Sequence, residues 1–141
     1  MSIGSILTGK KPVISVTVAT SIRDIAALLY EHRIGAVLVV EDGAILGIVS
    51  ERDIVAGLHQ HGPGILETNA GVVMTSPVVT ATPHTTVAAA MGVMTNRRIR
   101  HLPVVVEGEL LGLVSIGDLV KRRIEAAEHE ANALKDYIAT A

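Results

Sequence analysis

The apolar positions of this chain come in short aliphatic runs closed by the same polar signals, and the whole succession occurs twice. In the first pass, residues 13–18 form a β-rich run. Ser21 then suits a helix N-cap with Asp24 as the third residue, and Ile22, Ile25, Ala26, Leu28 and Leu29 share one helical face. After Gly35, residues 36–40 are wholly apolar and predict a buried strand. Glu41, Asp42 and Gly43 turn the chain, residues 45–49 return antiparallel, and Ser50 opens a helix to about residue 58. The second pass predicts a strand over 78–82, a helix over about 86–96, a strand over 102–106, a turn at Glu107 and Gly108, a strand over 110–114, and a helix opened by Ser115. Each pass therefore reads strand, helix, strand, tight turn, strand, helix. Both hairpins are almost entirely aliphatic, so helices must cover them.

A shift of 65 lays residues 12–56 on residues 77–121 without a gap, and 15 of the 45 pairs are identical. Arg33/Arg98, Gly43/Gly108, Gly47/Gly112, Ser50/Ser115 and Asp53/Asp118 are among them. Chance similarity would not hold glycine, serine and aspartate in register with the apolar runs, so the chain is a duplicated unit of roughly 60 residues. Each copy alone buries too little apolar surface to be comfortably stable, and pairing the copies is the expected remedy. Residues 59–70, rich in Gly and Pro, read as a flexible connection. The last helix runs beyond the repeat, where Ile124, Ala127, Ala131, Leu134 and Ile138 recur at helical spacing. That stripe predicts packing on the body of the protein or on a second subunit.

Composition removes several functions. The chain has 141 residues, no cysteine, no Phe or Trp, and a formal net charge of −2. Disulfides, zinc–thiolate sites and thiol catalysis are excluded. The charge gives no reason to expect nucleic-acid binding. The apolar runs are too short to span a bilayer, which predicts a soluble cytoplasmic protein.

The phrase that could carry chemistry is Gly-x-Val-Ser-x-x-Asp, present as Gly47 to Asp53 and again as Gly112 to Asp118. It sets a hydroxyl at a helix N-cap and a carboxylate in the first turn. Unpaired N–H groups at a helix N-terminus attract anions, and a carboxylate suits the vicinal hydroxyls of a ribose. Ser50 with Asp53, and Ser115 with Asp118, thus describe nucleoside-phosphate pockets. They equally describe ordinary capping boxes, in which the carboxylate reaches back to its own helix. The copies differ just upstream. Arg100 and His101 stand where the first copy has Gly35 and Ala36, so a basic pair for phosphate is available only beside Asp118. Arg33 and Arg98 read as helix ends near the favourable dipole. His59 and His61 lack a third metal ligand nearby, and Glu128, His129 and Glu130 read as a wet helix face. Met74, Met91 and Met94 read as core and interface filler, although Met74 and Thr75 could also line a pocket wall. No nucleophile–base set can be assembled, and no Gly-x-Gly-x-x-Gly occurs, so no enzyme activity is expected.

With the motifs Ile99-Arg100-His101-Leu102-Pro103-Val104-Val105 and Gly112-Leu113-Val114-Ser115-Ile116-Gly117-Asp118, the repeats resemble the CBS domain family. The resemblance extends to short proteins made only of a CBS pair and covers residues 6–123. It divides the chain into repeat 1 at 6–61, a linker at 62–70, repeat 2 at 71–123 and a helical extension at 124–141. It implies an α/β (α+β) fold of tandem βαββα units packed as a pseudo-twofold disc with two clefts, commonly paired into a homodimer. It further implies a regulatory module for AMP, ATP or NAD(H), in some members S-adenosylmethionine, acting on an unknown regulated protein. By that resemblance Asp118 and Asp53 would take ribose, with Ser115 and Ser50 adjacent, and Arg100 and His101 would clamp phosphate. Thr8, Gly9 and Ile14 would line the Asp118 cleft; Met74, Thr75 and Val79 would line the Asp53 cleft. The alternative is a structural or protein-interaction module whose clefts hold no physiological nucleotide.

Overall fold

Asp42 and Gly43 both take positive φ, at 49° and 80°, and Glu107 and Gly108 repeat this at 50° and 79°. Two successive left-handed residues make the hairpin turn whose twist suits the flanking strands. In the computed structural model of the protein, which describes residues 1–140, these turns join β2 (Ala36–Glu41) to β3 (Ala44–Ser50) and β4 (His101–Val106) to β5 (Glu109–Ser115). Both hairpins are antiparallel, and both shift register at the same repeat position, between Val39 and Val40 and between Val104 and Val105. The duplication therefore extends to the irregularities of the sheet.

Helix α1 (Ile22–His32) starts where Ser21 accepts the Asp24 N–H, and α4 (Val87–Arg97) starts where Thr86 accepts the Ala89 N–H. Both end on an arginine in the left-handed region, Arg33 at φ 53° and Arg98 at φ 54°. Their N–H groups close the last turn onto Leu29 and Tyr30, and onto Met94 and Thr95. The identical arginine pair is thus a helix stop in each copy.

The described residues form two compact units: residues 11–79, and residues 1–10 together with 80–140. In the first, Val16, Ile22, Ile25, Val37, Val39, Val49 and Ile54 form the buried core with Ala70. In the second, Ile3, Val87, Ala90, Met94, Leu102, Val104, Val114 and Leu119 are buried. Each large aliphatic side chain fully removed from water contributes about 1.5–3 kcal/mol. The repeats read from sequence and the compact units differ at two points. The first ten residues, which lead into copy one, belong to the unit built on copy two, and residues 71–79, read as the start of repeat 2, belong to the unit built on copy one.

Three elements depart from the sequence pattern. The strand expected over 13–18 contracts to β1 (Ser15–Val16), parallel to β2, with the Ile14 carbonyl accepting the Leu38 N–H. The strand expected over 78–82 is reduced to a single bridge between Ala81 and Val104. Pro103 explains the difference, because it occupies the repeat position of Leu38 and has no N–H for the carbonyl opposite. The connection over 59–70 is not a loop. Helix α2 (Glu51–His61) runs through its start, and a 3₁₀ helix (Pro63–Glu67) and α3 (Ala70–Val73) follow. Ile65 is buried against Gly57, where an added Cβ would lie 2.9 Å from Ile65 Cγ1. With the buried Ala70 and the backbone bonds from Ile22 to the Thr68 carbonyl and from Ala70 to the Thr20 carbonyl, this contact holds down a segment whose Gly and Pro content suggests freedom.

The last helix, α5 (Ile116–Thr140), is continuous from the second repeat through the tail. Its stripe is not covered by the body of the protein: Ile124, Leu134 and Ile138 are 54%, 59% and 66% exposed.

Candidate functional site

Ser50 and Ser115 close strands β3 and β5 and cap α2 and α5. In the first unit, the Asp53 N–H donates to Ser50 Oγ at 3.2 Å, and the Ser50 N–H donates to Asp53 Oδ2 at 2.8 Å. In the second, the Asp118 N–H donates to Ser115 Oγ at 3.1 Å, and the Ser115 N–H to Asp118 Oδ2 at 2.8 Å. The capping-box reading of the motif is therefore realised in both copies. Capping also orients the carboxylates, since each is held by its own backbone beside the first turn of a helix.

What else reaches the carboxylates differs. Thr75 runs beside β3, exchanging backbone bonds with Ile48, and its hydroxyl donates to Asp53 Oδ1 at 2.9 Å. On Asp118 the donor is Lys10, with Nζ 2.5 Å from Oδ2 and 2.7 Å from the Leu113 carbonyl. The repeated glycines give these leading segments room. A Cβ on Gly47 would lie 2.5 Å from Met74 Sδ, and one on Gly112 would lie 2.6 Å from Leu7 Cδ2. Glycine in an exiting strand here serves close packing.

Burial opposes ionisation of Asp118. The Lys10 hydrogen bond, the Ser115 N–H and the attraction of the Lys10 charge outweigh it and hold the carboxyl below its ordinary value. The pair is partly wet, with side chains 34% and 29% exposed.

Arg100 is exposed in the bend before β4, and its carbonyl accepts the Ile116 N–H at 2.8 Å. Gly35 makes the same bond to Glu51 at 2.9 Å in copy one. His101 opens β4 directly across from Ser115. Thr8 and the left-handed Gly9 (φ 80°) precede Lys10 in the same unit. Asp118, Ser115, Arg100, His101, Thr8 and Gly9 are thus gathered in one compact unit. Ile14 is not among them: it packs on the core of the first unit. Asp53, Ser50, Met74, Thr75 and Val79 belong to that first unit, where Val79 is half-buried outside any strand.

Lys10 is the residue that sequence reasoning missed, and a signal existed. It stands 65 positions before Thr75 and therefore occupies the same repeat position. A surface depression of about 880 Å³ lies elsewhere, between α1 and α2, lined by Leu29, Tyr30, Ile34, Ile54 and Val55 among others; neither Asp53 nor Ser50 lines it. Among the described residues no group of His, Asp and Glu is disposed to hold a metal, and no helix is long and apolar enough to cross a membrane.

The sequence and the fold have counterparts among known proteins. The CBS domain model matches residues 3–60 and 70–125. The chain is 35% identical over 127 residues to "CBS domain-containing protein CBSX3, mitochondrial" of Arabidopsis thaliana, covering 86% of this chain and 62% of that protein. The chain therefore spans less than two thirds of that relative. Among solved structures, the CBS-domain protein ATU1752 of Agrobacterium tumefaciens is 38% identical with a TM-score of 0.84, over 87% of this chain and 99% of that one. PAE2072 of Pyrobaculum aerophilum, solved with AMP, is 30% identical with a TM-score of 0.74, over 84% and 89% of the two chains. The CBS pair of MJ0100, solved with 5′-methylthioadenosine and S-adenosylmethionine, is 26% identical with a TM-score of 0.78, over 90% and 98%. The protein belongs to the CBS domain family and carries a tandem pair of its repeats.

Proposed function

We propose that the protein is a regulatory module that binds an adenosyl nucleotide of the AMP, ATP or NAD(H) type and does not transform it. The observation that carries this reading is that one unit holds Asp118, a ribose-competent carboxylate, with the cation Lys10 on it and the cation Arg100 in the bend whose carbonyl takes the Ile116 N–H. The AMP complex of PAE2072 and the methylthioadenosine and S-adenosylmethionine complexes of MJ0100 support it, since those ligands share the adenosyl group. The first unit offers Asp53 with a neutral Thr75 and has Gly35 and Ala36 in place of the basic pair, so it holds phosphate more weakly. Regulation then requires that ligand favour one arrangement of the protein over another, with a partner reading the difference. The exposed Tyr30 and Val55 beside the α1/α2 depression, and the bare stripe of α5, support self-association of the working form.

The test is thermal unfolding of ligand-free protein against a panel of AMP, ATP, NAD+, NADH and S-adenosylmethionine, with mass spectrometry of the recovered ligand. At least one adenosyl ligand raises the melting temperature by linkage and is recovered unchanged. Product that scales with protein concentration would replace a sensor with an enzyme. A flat response to the whole panel would leave a structural or protein-interaction module.

A further inference from the structure

Resting on that reading of the Asp118 site, a second layer concerns how the site selects among adenosyl ligands. The oxygen of Asp118 that closes the cap also takes the ammonium of Lys10, and the same ammonium is tied to the Leu113 carbonyl. A ribose diol arriving at this carboxylate meets a cation already seated there. Displacing it costs an ion pair, and the freed ammonium must find another acceptor. A neutral nucleoside offers only uncharged acceptors, and the Leu113 carbonyl is another; neither replaces the lost carboxylate. A nucleotide offers its phosphate, a dianion for which a lysine is an effective point-charge partner. In the first unit, Thr75 donates to Asp53 as a neutral hydroxyl, so no charge is released when it moves.

We propose that Lys10 is a specificity-determining residue of the second site: it rests on Asp118 in the ligand-free protein and passes to the ligand's phosphate on binding, so that the site prefers phosphorylated adenosyl compounds to uncharged ones. Gly9, directly before it, has a positive φ and nothing within 4 Å of the position a Cβ would take, and the Lys10 N–H closes the turn onto the Leu7 carbonyl.

The experiment is calorimetric titration of AMP and of adenosine into wild type, Lys10→Met and Lys10→Arg, with the Asp118 carboxyl followed by carbon NMR. In Lys10→Met, AMP weakens about tenfold while adenosine tightens several-fold, and the preference for AMP falls by more than tenfold; Lys10→Arg keeps it. The Asp118 carboxyl titrates higher in Lys10→Met, a shift that requires no ligand. An unchanged AMP-to-adenosine ratio with AMP still bound would overturn the specificity role alone. An unchanged Asp118 titration would overturn the resting contact itself. If wild type and both variants bind neither compound, the nucleotide reading falls and takes this inference with it.

Discussion

Lys10 and Thr75 occupy the same position of the repeat, 65 residues apart, and each donates to the aspartate of the other copy: Lys10 to Asp118 and Thr75 to Asp53. The exchange makes each compact unit a composite of one copy's hairpin and helices with the other copy's leading segment. It also makes the two sites chemically unequal, one carboxylate answered by a cation and the other by a hydroxyl.

That inequality has a pH signature. The Asp118 carboxyl lies below its ordinary value of 3.8 in the folded protein. The folded state therefore favours the ionised form. The stabilisation is fully present above that ordinary value and is lost as pH falls through the lower folded value. Urea unfolding of wild type should lose stability more steeply below about pH 4 than Asp118→Asn, with the two curves parallel above about pH 5. Parallel curves throughout would show that the fold does not hold the Asp118 carboxylate ionised. Because the pair is partly exposed, Lys10→Met at neutral pH should cost no more than about 1 kcal/mol.

The repeated glycines predict unequal costs. A methyl group on Gly47 meets Met74 at Sδ, Cγ and Cβ, all within 3.0 Å, whereas one on Gly112 meets only the far end of Leu7 that closely. Gly47→Ala should destabilise by about 1–3 kcal/mol and Gly112→Ala by less, as measured by denaturant unfolding. The reverse order would mean that the leading segment over Gly47 is the looser of the two.

Self-association is checked by light scattering. Tyr30 is 85% exposed and Val55 64%, and the α5 stripe is bare. The scattering mass at micromolar concentration should be about twice that of the chain. Removing residues 126–141 or substituting Tyr30→Glu shows which surface carries the contact. A monomer across the whole range, with the tail intact, contradicts the dimer.

Much of this was legible in the sequence, and what was not has a physical reason. The hairpins follow from Asp42-Gly43 and Glu107-Gly108, and the helix starts from Ser21, Ser50, Thr86 and Ser115, because turns and caps are set by residues a few positions apart. The strand at 78–82 failed for a reason outside its own sequence, namely the missing N–H of Pro103 in its neighbour. The 59–70 segment carries loop composition, and long-range contacts order it: Ile65 on Gly57, the buried Ala70, and backbone bonds from Ile22 to Thr68 and from Ala70 to Thr20. Lys10 meets Asp118 across 108 positions of chain, beyond any local pattern. The aspartates and serines were found because the repeat placed them in register; whether they cap or bind was not decidable from spacing, since capping and ligand binding use the same geometry.

Sugar and phosphate recognition separate by substitution. Arg100→Ala should weaken AMP about tenfold, the order of one charge-assisted hydrogen bond, and leave adenosine unchanged. Asp118→Ala should weaken both, because both carry the ribose diol. Equal losses of AMP and adenosine in Arg100→Ala would show that this arginine supports the fold and not the phosphate.

The most direct test is calorimetric titration of AMP into ligand-free wild type, Asp118→Ala and Asp53→Ala. The second site, with Arg100, His101 and Lys10 in its unit, should give the tighter phase. That phase should be present in wild type, largely kept in Asp53→Ala and lost in Asp118→Ala. Tight binding retained in Asp118→Ala, or equal losses in both variants, would contradict the account.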